Sequence, residues 1–88
     1  MQTIYLGLGT NLGDRIANLQ AAITRLSKML RITAVSPVYQ TPPWGVTDQP
    51  DFLNLCLSAE TDMPPAKLLK FIKNLEVDLG RVPAERWG

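Results

Sequence analysis

From Phe52 to Ala59 the chain alternates strictly, with Leu53, Leu55, Leu57 and Ala59 on one side and Phe52, Asn54, Cys56 and Ser58 on the other. Side chains of an extended strand point to opposite faces in turn, so this stretch demands one apolar face and one open face. The apolar face must be covered. Two segments offer cover: Ile16, Leu19, Ile23, Leu26 and Leu30 recur at helical spacing, as do Leu68, Leu69, Ile72, Leu75 and Leu79. Gln2 to Leu8 alternates as well, with Ile4, Leu6 and Leu8 opposed to Tyr5 and Gly7. Ile32 to Tyr39 is rich in β-branched residues and reads as a further strand, with Pro37 marking an edge or a bulge.

Turn chemistry separates these elements. Gly9-Thr10-Asn11-Leu12-Gly13-Asp14 leads from strand to helix, with Asn11 or Asp14 available as the cap. Asp62-Met63-Pro64-Pro65 starts the second helix, and Gly80 sits where a left-handed C-terminal residue belongs. Thr41 to Pro50, with three prolines and a glycine, reads as a loop of about ten residues, a length that usually carries function or motion. The order is β-α-β-β-α in a single domain spanning residues 1–88. That is an α+β class and five-sixths of a ferredoxin-like βαββαβ unit. It predicts an antiparallel sheet with both helices on one face and the last strand missing. A flat ligand would suit the open face that carries Phe52 and Asn54.

Nine basic and eight acidic residues leave a net charge of +1, which gives no reason to expect a nucleic-acid or membrane surface. Histidine is absent, so any proton transfer or metal binding rests on carboxylates or on the substrate itself. A lone Cys56, no long apolar run and no basic leader at Met1 together predict a reducing, cytoplasmic setting.

Several residues carry chemistry, each with a plainer reading beside it. Gly7-Leu8-Gly9-Thr10-Asn11-Leu12-Gly13 has its third glycine one place late for a dinucleotide fingerprint, and a tight turn accounts for it. Phe52 and Asn54 share a strand face, where a ring plane and a carboxamide suit a planar heterocycle with an amide-like edge. They also fit a packed Phe and a turn Asn. Thr41-Pro42-Pro43 offers backbone groups to the same ligand, or a rigid bend. Glu76 lies beside the apolar stripe and calls for Lys73, Arg81 or a ligand hydroxyl, unless it is a solvated residue at the stripe edge. Arg81, Arg86 and Trp87 place two guanidiniums and an indole in the tail, suited to phosphates and a base or to an ordinary basic surface.

The order of these pieces is more specific than any one of them. Gly9-Thr10-Asn11-Leu12-Gly13-Asp14, Tyr39-Gln40-Thr41-Pro42-Pro43, Gln49-Pro50-Asp51-Phe52-Leu53-Asn54, Leu75-Glu76, Gly80-Arg81 and Glu85-Arg86-Trp87-Gly88 follow one another. Together they resemble the 6-hydroxymethyl-7,8-dihydropterin pyrophosphokinase family, over essentially the whole chain. The resemblance implies transfer of pyrophosphate from ATP to the pterin hydroxymethyl group in folate biosynthesis, releasing AMP, with Mg²⁺ as cofactor. It implies pterin contacts from Thr41, Pro42, Pro43 and Trp44, stacking on Phe52 and a hydrogen bond from Asn54. It sets Glu76 on the nucleotide side. Arg81, Arg86 and Trp87 fall in a mobile loop over the ATP phosphates, the two arginines serving as catalytic groups.

Two departures from the family pattern stand out. Pro83 occupies a position where an arginine is common, and the Asp-x-Asp pair expected to hold magnesium lies beyond Gly88. The expectation is therefore the N-terminal part of the enzyme, weakly active or inactive by itself, with no metal ligands within the chain. The rival expectation is a ferredoxin-like small-ligand-binding or interaction module without catalysis. RNA binding is disfavoured because only Phe52 and Tyr5 offer aromatics on the open face. A monomer and a strand-exchanged dimer both fit, since an unfilled sheet edge invites pairing.

Overall fold

The structure, a computed structural model, describes residues 1–43 and 49–80 together with the strand at 84–87. Its elements are β1 (Gln2–Thr10), α1 (Arg15–Ser27), β2 (Arg31–Val35), β3 (Tyr39–Thr41), β4 (Phe52–Thr61), α2 (Pro65–Leu79) and β5 (Ala84–Trp87). Every strand pairing is antiparallel, in the order β2-β4-β1-β5, with β3 also against β4. The class is α+β, one antiparallel sheet with two helices.

The alternation in β4 decides the layering. Leu55, Leu57 and Ala59 are buried, and they lie opposite Leu8, Leu6 and Ile4 of β1, which are buried too. Leu19, Ala22 and Leu26 of α1 and Leu68, Ile72 and Leu75 of α2 complete the same core. Both helices therefore cover the leucine face, and the face carrying Asn54 stays open. Arg25 Nη2 lies 3.0 Å from Asp78 Oδ2 and joins the helices at the surface, a contact worth about 0.2–1 kcal/mol.

Asp14, not Asn11, caps α1: its Oδ1 accepts from the Ala17 amide at 3.1 Å. The expected α1 stripe needs one correction. Ile16, in the first turn, is 49% exposed, while Ala22 is fully buried. Leu19, Ala22 and Leu26 recur three and four apart, and the small methyl of Ala22 lets the helix come close to the sheet. At the other helix, Gly80 ends α2 with φ 68° and donates its amide to the Glu76 carbonyl at 2.7 Å. An alanine there meets nothing within 4 Å, so Gly80→Ala would suffer only backbone strain. It should lower stability by about 1 kcal/mol, read as a shift of the urea midpoint with an unchanged slope.

Three strand boundaries differ from the sequence expectation. β1 runs on through Gly9 and Thr10, because Gly9 pairs with Asn54 and Thr10 with Leu53 before the turn begins.

The expected strand from Ile32 to Tyr39 is two strands. Ile32 pairs with Ala59 but Ala34 with Ser58, so Thr33 is an extra residue. Val35 pairs with Leu57 but Tyr39 with Asn54, so a second extra residue falls between them. Pro37 lies in that gap and has no amide to give the ladder. Ser36 holds the junction instead. Its amide donates to the Cys56 carbonyl at 2.8 Å, and its Oγ accepts from the Cys56 amide at 2.9 Å.

The third difference is the position beside β1. It was expected to be empty, but β5 fills it, with Tyr5, Leu6, Gly7 and Leu8 paired to Trp87, Arg86, Glu85 and Ala84. The order is therefore β-α-β-β-β-α-β. An extended segment satisfies a row of β1 amides and carbonyls that would otherwise face only water.

Candidate binding site on the open sheet face

Asn54 is the centre of the open face. It is half-buried, and its Nδ2 donates to Thr41 Oγ1 at 2.7 Å. Thr41 is opposite Phe52 in the β3–β4 register, so Asn54 is its diagonal neighbour on the same face. The two extra residues in the preceding edge make this possible. An unbulged continuation of the Ile32–Ala59 pairing would put Pro37 opposite Asn54 and carry Thr41 beyond the start of β4.

On the other flank of Asn54 is Gly9. A Cβ added there would be 2.6 Å from Asn54 Oδ1 and 3.8 Å from Phe52 Cδ1. The missing side chain is what lets the carboxamide lie over β1. With one N–H given to Thr41, the amide keeps its oxygen and a second N–H for a ligand. That donor–acceptor pair matches the N–H and C=O of a lactam edge. Half-buried Phe52 supplies a ring beside it, and exposed Tyr39, opposite Asn54, supplies another.

The segment entering β4 is tied down from three directions. Asn11 Nδ2 donates to Gln49 Oε1 at 3.2 Å and approaches the Pro50 carbonyl at 3.5 Å. Arg15 Nη1 donates to the Asp51 carbonyl at 2.8 Å, and Gln40 Nε2 donates to Asp51 Oδ2 at 2.9 Å.

The structure therefore brings together Thr41, Phe52 and Asn54 from the expected site, with Pro42 and Pro43 following directly on Thr41. Glu76 is elsewhere: it is half-buried on α2, which packs against the opposite face of the sheet. Trp44 and Arg81 lie outside the described residues. Arg86 and Trp87 are described only as backbone of β5. Sequence reasoning missed Gly9, Tyr39, Arg15, Gln40 and Asp51 as contributors. Gly9 had a signal in its alternation with Leu8, which set it on the same face as Gly7 and Tyr5. The tethers to Asp51 had none, because Arg15 reaches it from 36 residues away and Gln40 reaches it only through the β3–β4 register.

A sequence profile of the family described as 7,8-dihydro-6-hydroxymethylpterin-pyrophosphokinase (HPPK) matches residues 5–88. The chain belongs to this family. An HPPK relative, the 2-amino-4-hydroxy-6-hydroxymethyldihydropteridine pyrophosphokinase of Aquifex aeolicus, is 44% identical over 88 residues, covering 100% of this chain and 55% of that protein. Its counterpart in Methylorubrum extorquens is also 44% identical, over 90 residues, covering 100% of this chain and 57% of that protein. The chain thus spans about half the length of the curated HPPK relatives it matches. Among solved structures, the C-terminal domain of the MgtC protein from Mycobacterium tuberculosis superposes with a TM-score of 0.60. At 12% identity, covering 99% of this chain and 86% of that domain, it shares the fold alone.

The HPPK resemblance implies magnesium. Among the described residues, no three of His, Cys, Asp or Glu are grouped to hold a metal ion. These residues do not fit the ion.

Proposed function

We propose that this chain builds the pterin-facing part of an enzyme that transfers pyrophosphate from ATP to 6-hydroxymethyl-7,8-dihydropterin, releasing AMP, in folate biosynthesis. Family membership supports the reaction class. The observation that carries the pterin assignment is the Gly9–Asn54–Thr41 arrangement beside Phe52. Phe52 stacks on the ring, and the Asn54 amide pairs with the lactam edge. Thr41 fixes the amide rotamer, and Gly9 leaves it room. Through the family resemblance, Pro42, Pro43 and Trp44 are assigned to the same ligand. Holding the pterin in one pose aims its hydroxymethyl oxygen, which attacks the β-phosphorus of ATP in line with the departing AMP oxygen. As the new O–P bond forms and the bond to AMP breaks, the hydroxymethyl proton passes to the departing AMP phosphate or to solvent.

The nucleotide side rests on Glu76, Arg81, Arg86 and Trp87 through the family resemblance. The arginine forks match phosphate oxygens and neutralise charge as it develops on the transferred group.

The finer assignment of the fold is a ferredoxin-like βαββαβ unit, with β3 an offshoot of its edge. The strand order and the two helices on one face support it. No helix among the described residues is long and apolar enough to cross a membrane, which is compatible with a cytoplasmic enzyme. We take the chain as a monomer that binds ATP and the pterin and neither nucleic acid nor membrane, because β5 already occupies the edge a second copy would seek.

Fluorescence titration with 6-hydroxymethyl-7,8-dihydropterin tests the site directly. The chain should bind the pterin, and Asn54→Leu should weaken binding about tenfold or more, since a lactam edge left unpaired costs about 1–3 kcal/mol. Equal affinity in the two proteins would remove Asn54 from the site. Release of AMP from ATP, measured with the same protein and magnesium, tests the reaction.

A further inference from the structure

Asp51 stands one residue before Phe52 and is held at both its polar ends. Its carboxylate accepts from Gln40, and its main-chain carbonyl accepts from the Arg15 guanidinium at 2.8 Å. The pairing is unexpected. A cation next to an aspartate would ordinarily take the carboxylate, yet here that group goes to a neutral amide and the guanidinium takes a peptide oxygen. A bond to a peptide oxygen fixes the orientation of the backbone, which a bond to a mobile carboxylate does not. The peptide it fixes is the one joining Asp51 to Phe52, where β4 begins. Arg15 is also well placed to hold it. It is half-buried, and it opens α1 immediately after the capping residue Asp14, so its own backbone is set by the helix.

We infer that Arg15 is a positioning residue for the pterin site: it anchors the start of β4 to α1 and so sets where Phe52 and Asn54 stand. The inference rests on the pterin reading of the open face. Arg15 does not touch the ligand. It acts through Asp51, and Gln40 supports it from β3 through the carboxylate of the same residue. The first turn of α1 and the mouth of the site are thereby one mechanical unit, although 36 residues separate Arg15 from Asp51.

The test compares the 88-residue chain with its Arg15→Leu and Arg15→Lys variants by three measurements. These are 6-hydroxymethyl-7,8-dihydropterin affinity, the urea midpoint, and amide exchange at the β3–β4 pairing around Leu53 and Asn54. Arg15→Leu should weaken pterin binding by about tenfold, because the freed start of β4 must be re-ordered each time the ligand binds. It should speed exchange at those amides more than elsewhere in the sheet and lower the urea midpoint modestly, since the lost bond belongs to the fold. Arg15→Lys, which keeps a cationic donor, should recover most of both. Unchanged affinity and exchange in Arg15→Leu would overturn the inference. So would exchange that quickens equally across the whole sheet, since that marks a merely structural residue. If none of the proteins binds pterin, the ligand reading fails, and the exchange comparison still decides whether Arg15 orders the start of β4.

Discussion

If the open face is the proposed pterin site, Gly9→Ala is expected to remove most of its pterin affinity while leaving the fold in place. The added methyl would stand 2.6 Å from Asn54 Oδ1, well inside contact distance, so one of the two must move. The β1 backbone cannot, because Gly9 is paired to Asn54 within a long antiparallel ladder. Asn54 can, because its amide is the free end of a rotatable side chain. It would swing away and give up its bond to Thr41 Oγ1. Losing that bond costs about 0.5–1.5 kcal/mol of stability, within reach of a modest midpoint shift. The ligand loses more. Its lactam edge would face a methyl group, and the expected penalty of about 1–3 kcal/mol corresponds to roughly a 5- to 150-fold loss of affinity. Calorimetric titration alongside urea unfolding would separate the two effects. Pterin binding as tight as in the parent chain would show that Asn54 does not need its position over β1.

Leu6→Ala should give the largest loss of stability. Leu6 is fully buried, and its strand is paired on both sides, with Leu57 of β4 opposite on one and Arg86 of β5 on the other. Helices cover it from above, so there is little freedom for the surroundings to collapse into the space left behind. Truncations of this kind cost about 2–5 kcal/mol, against a total of about 5–15 kcal/mol for an ordinary domain. For a chain of this size that means a fall in melting temperature on the order of 10–30 °C. A fall of only a few degrees in a thermal scan would mean that the core relaxes around position 6, or that the sheet is less rigid than its pairing implies.

The two faces of the sheet were legible in the sequence for a simple reason. β4 alternates without a fault, and a period of two admits only one way to turn a strand. Gly80 was legible because few residues other than glycine adopt φ 68° comfortably. Phe52 and Asn54 could be put on a common face by spacing alone, and their place in a Gln-Pro-Asp-Phe-Leu-Asn string pointed to the family. What could not be read were contacts between residues distant in the chain. Nothing near Arg15 indicates that its side chain reaches a carbonyl across the molecule. The division of the second strand was announced by Pro37, yet the register of its two halves depends on β4. The pairing of Ala84–Trp87 with β1 depended on which extended segment could reach a vacant edge. Ile16 was misjudged because periodicity gives the direction of a side chain but not the reach of the surface it would pack on.

The broken outer border of the sheet also bears on how this chain behaves when crowded. A fibril grows when each new molecule finds a straight run of free amides and carbonyls to copy. Beside β4 the chain jogs at Thr33 and again around Pro37, so the ladder it offers outward is interrupted twice over a few residues. A second molecule could match one short piece of it but not the next. The irregularity that carries Thr41 to Asn54 thus also makes this border a poor seed for aggregation, even though Val35, Val38 and Tyr39 stand exposed along it.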